Sequence, residues 1–351
     1  MTESLIEATA ERLFGDYVTP KHLAAAEQGD FAADAWRAIE EAALPRALVA
    51  EEAGGFGMPA AEALTILRVA GKHAVPLPLA ETMAASWLLA GAGLIIPDGP
   101  LSIAPVIKGE VLTLERRGAG WHLAGKATRV PWGSCATAVA VLVVHQGTPM
   151  VASVPRAAVE VTHGSNLARE PRDTLTFAVT LPAEAVAPAA SGVDPASLRA
   201  LGAAMRSLQM AGAMARLLDM TTRYALDRTQ FGKPIGKFQA IQHNLAILGS
   251  HQAAATAAAM GAAEAVGEGL RLFPIAVAKV RTGEAAGLCA GLAHQVHGAI
   301  GFTYEHSLHF ITKRLLSWRN EFGNEAEWSL LLGRHLATAG ADRLWHEITA
   351  A

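Results

Sequence analysis

The chain predicts an α+β fold in the order helix, sheet, helix: an N-terminal all-α domain over 1–96, a shortened middle antiparallel β domain over 97–187, and a C-terminal helical bundle over 188–351. Three observations carry this. The first ninety-odd positions place apolar residues at helical spacing, with Pro and Gly as the breaks. Short runs rich in Val and Thr follow, separated by turn residues, and β-branched side chains of that kind pack well on a pleated surface. Beyond them, 197–227 and 238–268 are Ala, Leu and Met with polar residues at helical intervals.

In the first part, Phe31, Trp36, Ile39 and Ala43 share a helix face until Pro45 ends the run. The glycines of Glu51-Glu52-Ala53-Gly54-Gly55-Phe56-Gly57 mark a loop. Helices are expected over 60–74 and 80–92, with Pro76 and Pro78 between them. Pro97, Gly99 and Pro100 form a boundary, after which strands are expected over 111–116, 120–123, 137–144, 150–154, 158–162 and 175–181. Residues 188–195 read as a linker.

Composition narrows the function. Lys and Arg number 29 against 32 Asp and Glu, a net charge of -3, which argues against a general nucleic-acid binder. Hydrophobic residues make up 51% but aromatics only 6%, so the apolar surface is mostly Ala, Leu and Val; such surface suits close helix–helix contact and an oligomer. Cys135 and Cys289 read as buried thiols of a reduced compartment. The opening MTESLIEATAERLFGDY is acidic and amphipathic, unlike a signal peptide, and no apolar stretch reaches membrane-spanning length. A soluble cytoplasmic protein, bound neither to membrane nor to nucleic acid, is the expectation.

Between the two long helical stretches lies a basic, Gly-punctuated corner, Asp227-Arg228-Thr229-Gln230-Phe231-Gly232-Lys233-Pro234-Ile235-Gly236-Lys237-Phe238-Gln239. Arg228 offers a planar donor fork that suits a phosphate, Gln230 can donate and accept, and Phe231 can lie against a flat ring. The plainer alternative makes Arg228 a salt bridge to a neighbouring helix and Phe231 a core plug. The whole string, continued by Phe238-Gln239-Ala240-Ile241-Gln242, resembles the FAD-contacting signature of the acyl-CoA dehydrogenase family. The helix–sheet–helix order is that family's layout, and Glu51 to Gly57 sits where the family has a Glu-x-Gly-Gly-x-Gly turn.

The resemblance implies an acyl-CoA dehydrogenase-like fold and FAD as cofactor. It also implies an acyl-CoA thioester as substrate for α,β-desaturation, and electron-transferring flavoprotein as acceptor. A second cluster, Gln295-Val296-His297-Gly298-Ala299-Ile300-Gly301-Phe302, corresponds to the family's Gln-x-x-Gly-Gly-x-Gly, with Ala299 in place of the second glycine. Gly298 and Gly301 would let backbone N–H groups come close to a phosphate or ribose. Read alone, the cluster is a helix C-terminus with glycine caps. His294 and His297 stand three apart, but no Cys or carboxylate joins them at a metal-ligand spacing, so no metal is expected. In the family this region reaches across a dimer interface to a partner's FAD. The resemblance thus implies that role for Arg228, Gln230, Phe231, Ile235, Phe238, Gln295, Gly298 and Ala299.

The catalytic half departs from the family. Where it keeps a basic Glu, this chain has Phe322; Glu321 is the candidate base one residue early, and one residue on a helix turns a side chain by about 100°. The position some members use instead is Gly202, between Leu201 and Ala203. Glu325 and Glu327 are expected to face solvent. The family's Thr-Glu-Pro-x-x-Gly-Ser-Asp loop shrinks to Ile103-Ala104-Pro105-Val106-Ile107-Lys108, and Pro131 stands where a Thr reaches the flavin. This asymmetry resembles one chain of the two-chain α2β2 enzymes of bacterial steroid side-chain breakdown. The implied partner is a second acyl-CoA-dehydrogenase-like subunit, or another copy in a dimer or tetramer. The alternative of another class is a catalytically silent scaffold or an acyl-CoA-binding protein of the same fold.

Overall fold

In the computed structural model, which describes residues 4–107 and 109–349, the chain begins with five helices: α1 (Leu5–Tyr17), α2 (Pro20–Glu27), α3 (Ala33–Glu41), α4 (Ala60–His73) and α5 (Leu79–Gly91). The Ser4 hydroxyl caps α1 by accepting from the Glu7 N–H at 3.3 Å. Eight strands follow: β1 (Leu101–Ile103), β2 (Leu112–Arg117), β3 (Gly120–Pro131), β4 (Ala138–His145), β5 (Thr148–Pro155), β6 (Glu160–Thr162), β7 (Arg172–Leu181) and β8 (Val186–Pro188). Then come α6 (Pro195–Asp227), the two-residue strands β9 (Thr229–Gln230) and β10 (Lys233–Pro234), α7 (Gln239–Gly267), α8 (Leu272–His297), α9 (Leu308–Trp318), α10 (Glu325–Ala339) and α11 (Leu344–Thr349). Helical parts at either end of a middle sheet domain make the fold α+β.

The strands form two four-stranded sheets, ordered β1-β4-β5-β8 and β2-β3-β7-β6. Their facing side chains share one core, with Leu123, Val130 and Leu175 from one sheet against Val139, Val141 and Val154 from the other. The pairing is antiparallel except between β1 and β4, which run parallel, with Leu101 opposite Ala138. β1 and β8, at three residues each, were too short to show alternation, and β8 begins just before the stretch expected as a linker. β3 runs far past Leu123 because a bulge between Ala127 and Val130 lets it continue to Pro131 against β7.

Packing gathers the chain into two compact units. One comprises residues 1–23, 64–75 and 203–351; the other comprises 24–63 and 76–202. In the first, α4 crosses α6 at backbone contact: a Cβ on Gly71 would run into the Gln209 carbonyl, and one on Gly212 into the Arg68 carbonyl. Only glycine permits that approach. Glu11 on α1 accepts from Lys72 Nζ at 2.6 Å, tying the first helix to α4, and α6, α7, α8 and α9 enclose a core of Met214, Leu217, Leu248, Cys289 and Leu315. Cys289 is buried as expected, whereas Cys135, in the other unit, is only half-buried because the turn after β3 leaves it near the surface. Among the described residues no helix is long and apolar enough to cross a membrane.

Candidate cofactor and acyl site

The corner between α6 and α7 is a β-hairpin. Gln230 pairs with Lys233 and Thr229 with Pro234, so Phe231 and Gly232 form a two-residue loop. Both have positive φ, 50° and 78°, the geometry of the primed turn that matches strand twist. Glycine adopts it freely, whereas an aromatic residue there carries strain on the order of 1 kcal/mol. The Ile235 N–H closes the base of the hairpin on the Arg228 carbonyl at 2.8 Å.

Phe231 is 91% exposed, so it is no core plug. It meets the half-buried Phe238 edge-on at 6.2 Å, and Lys233 Nζ lies 4.4 Å from the centre of that second ring. Arg228 and Gln230 are exposed, Ile235 is half-buried, and among the described residues the Arg228 guanidinium forms no ion pair. The plainer alternative for this corner therefore fails on both residues.

The second cluster is the end of α8. The Gly298 N–H caps the helix on the His294 carbonyl, Gly298 takes φ 62°, and a short 3₁₀ turn runs on to Phe302. Gln295, Gly298 and Ala299 are exposed, and nothing stands within 4 Å of a Cβ built on Gly298. Tyr224, five residues before the hairpin strand, lies face-on to His297 with ring centres 4.4 Å apart, and its hydroxyl donates to the His297 carbonyl at 3.3 Å. Through that contact the end of α6 and the end of α8 are brought together.

The imidazoles beneath this end are packed among themselves. His294 stacks on Phe302 at 4.2 Å and shares a hydrogen bond of 2.9 Å with Thr312. His297 Nδ1 lies 2.8 Å from the Ala293 carbonyl, and its ring meets His306 at 4.7 Å. Burial, with neighbouring imidazoles adding to it, pushes His294, His297 and His306 below the ordinary histidine value.

Glu321 lies in the turn between α9 and α10, where its Oε2 accepts from Nε of Arg206 at 2.7 Å. Arg206 comes from α6, is 2% exposed, also donates to Gln209, and stands 5.7 Å over the Phe322 ring. Phe322 takes φ 55°, and its carbonyl accepts from the Trp328 indole at 3.0 Å. Glu327 is exposed as expected, but Glu325 is not a solvent-facing side chain: its Oε1 accepts from Arg319 Nε at 2.9 Å, because the turn folds back on the start of α10. Gly202, Leu201 and Ala203 are buried along α6.

In the other unit, Pro131 ends β3 opposite Arg172 and its carbonyl accepts from the buried Ser102 hydroxyl. Arg129 and Trp132 on either side of it both have positive φ, near 53°. Proline supplies neither hydroxyl nor N–H, so this position has no side-chain donor for a ligand. Of the shortened segment before it, Ile103 ends β1, the Ala104 N–H donates to the Ala140 carbonyl, and Lys108 lies outside the described residues.

Tyr224 and Arg206 were missed by sequence reasoning. A signal existed for Arg206, a charge on the apolar face of an Ala, Leu and Met helix, since a buried guanidinium must have an acceptor. Nothing local distinguished Tyr224.

Residues 200–334 match the model of the acyl-CoA dehydrogenase C-terminal domain. Along most of its length the chain is 27% identical to acyl-CoA dehydrogenase IpdE2 of Mycolicibacterium smegmatis, covering 88% of this chain and 91% of that protein. In fold it resembles the ChsE4-ChsE5 complex from Mycobacterium tuberculosis, with a TM-score of 0.86 at 23% identity over 97% of this chain and 100% of that one. It likewise resembles a Tcur3481-Tcur3483 steroid ACAD, with a TM-score of 0.85 at 23% identity over 95% of this chain and 96% of that one. The C-terminal domain match and the likeness to IpdE2 support membership of the acyl-CoA dehydrogenases, whose members are oxidoreductases.

Proposed function

We propose that this chain is one subunit of an FAD-dependent acyl-CoA dehydrogenase that desaturates the α,β bond of a bulky or sterol-derived acyl-CoA thioester. In this reading Arg228, Gln230, Phe231, Ile235, Phe238, Gln295, Gly298 and Ala299 grip the ADP half of a cofactor whose flavin end lies mostly in a partner subunit. The observation that carries it is the hairpin tip: Phe231 is held in a left-handed conformation and is 91% exposed, beside the Arg228 guanidinium, which has no ion pair among the described residues. A monomer gains nothing from that strain; a partner-borne dinucleotide accounts for it.

The residues present fit such a group on one side. An exposed fork donor, an amide and an open glycine cradle supply what a diphosphate and ribose need. When bound, FAD accepts the hydride from the substrate β-carbon. This chain's own contribution is to hold the adenine end and to orient the acyl chain. Removal of the α-proton falls to a carboxylate, and Glu321 is committed to Arg206. That pairing favours a base from a second acyl-CoA-dehydrogenase-like chain; Glu321 is the base only in a self-sufficient dimer or tetramer, where Arg206 must first release it. The complexes of ChsE4 with ChsE5 and of Tcur3481 with Tcur3483, the latter described as a steroid ACAD, lend support to the heteromeric form and to the substrate class. Electron-transferring flavoprotein is the acceptor this reading takes. The division into domains at 96/97 and 187/188 belongs to the same reading.

Arg228→Ala in the assembled complex tests it. Loss of a charge-assisted contact to a phosphate should lower flavin affinity by roughly tenfold to a hundredfold. Flavin content and turnover that survive the substitution would leave the chain a silent scaffold.

A further inference from the structure

Lys279 on α8 is fully buried, and its Nζ donates to two main-chain carbonyls, Arg319 at 2.6 Å and Gly323 at 2.8 Å. Those carbonyls bracket Asn320, Glu321 and Phe322. One and two turns further along the same face of α8 stand Gly283 and Gly287. A side chain at the first would meet the Glu325 carboxylate, and at the second Nη1 of Arg319 at 2.9 Å. Lys279, Gly283 and Gly287 therefore make one stripe: a cation that takes the turn's carbonyls, then two bare positions where the Arg319–Glu325 pair lies on the helix backbone.

The turn so received needs holding, because Phe322 and Gly323 both carry positive φ, 55° and 98°. The ionised groups facing Lys279 are Arg206 from α6, Arg319 and Glu321 from the turn, and Glu325 from α10. α7, which packs along α8, buries alanines, among them Ala259, Ala262 and Ala263. Burial, only partly offset by Glu325 and Glu321, pushes the ammonium down to about 8.

We propose that Lys279 is a positioning residue: by clamping the Arg319 and Gly323 carbonyls it fixes the turn that aims Glu321 and Phe322. Opening of that turn is the event that returns the Lys279 nitrogen to water. The proposal rests on the reading above only in taking this turn to line the acyl pocket.

Linkage fixes the sign of the pH response. A protonated amine is better solvated with the turn open, so opening becomes rarer as pH rises from about 8 toward the ordinary lysine value of ~10.4. Hydrogen exchange of the full chain with its partner, corrected for intrinsic rates, tests this. In the wild-type protein, protection of the 320–323 amides and of the Trp328 indole N–H should climb between pH 8 and 10 by up to about tenfold per pH unit. In Lys279→Met that climb should vanish, and the same amides should exchange about tenfold faster at pH 7 while the middle of α7 is unchanged.

Flat protection in the wild-type protein overturns the proposal without recourse to any variant, as does unchanged exchange in Lys279→Met. Faster exchange with acyl-CoA turnover unaltered supports the clamp and overturns the acyl-pocket reading instead. Faster exchange with a fall in kcat supports both.

Discussion

The Tyr224 ring lies face-on to the His297 imidazole at 4.4 Å, and its hydroxyl reaches the carbonyl of that same residue. One side chain thereby joins two sequence motifs that two long helices, α7 and α8, separate along the chain. Stacking orients α6 as it enters the hairpin, and the hydrogen bond occupies a carbonyl left over at the end of α8.

Tyr224→Phe keeps the ring and loses the hydrogen bond, so thermal or urea unfolding should show a loss of about 1 kcal/mol. Tyr224→Ala removes both and should lose about 3 kcal/mol. If the two motifs act together on one dinucleotide, flavin retention of the assembled complex follows the same order. Equal retention in wild type and Tyr224→Ala would separate the motifs.

Glu321→Gln leaves the 2%-exposed Arg206 without its carboxylate. Breaking a buried pair from one side commonly costs about 3–5 kcal/mol; the partial exposure of Glu321 argues for the lower end, about 3 kcal/mol. Turnover separates the roles. A general base lost from the reaction lowers kcat by roughly a hundredfold to ten-thousandfold. A base supplied by the other chain predicts a fall of less than about tenfold, measured in single-turnover flavin reduction.

The histidines beneath the second cluster predict acid sensitivity. Their folded-state values lie below the ordinary one of about 6.5 because burial disfavours the imidazolium. As pH falls past that value the unfolded chain binds protons the folded chain does not, so stability drops. Melting temperature should decline from pH 7.5 to pH 5.5, and His297→Gln should blunt the decline. A profile identical to wild type in that variant would remove His297 from the account.

Much of the fold was legible because its signals are local. Apolar spacing and Pro45 marked α3 within two residues of its observed ends, and the Val-rich runs located β4, β5 and β7. The corner was legible as a break between helices, but its hairpin was not: Phe231 is a poor residue for a left-handed turn, so only Gly232 hinted at it. The buried charges were the least legible. Lys279 and Glu325 look like ordinary surface residues in sequence, Arg206 shows only as a charge on an apolar helix face, and the crossing of α6, α8 and the α9–α10 turn is what shows that they face one another. Long-range pairing leaves no periodic trace.

The helical unit that holds the hairpin is assembled from the first residues of the chain and from everything after residue 202. A ribosome that has released α1 must add well over a hundred residues before α6 arrives to cover Gly71. At typical synthesis rates that is an interval on the order of ten seconds or more. During it the leading helices have sticky faces and no docking partner. Production of this protein should therefore depend on holdase chaperones more than its final stability would suggest.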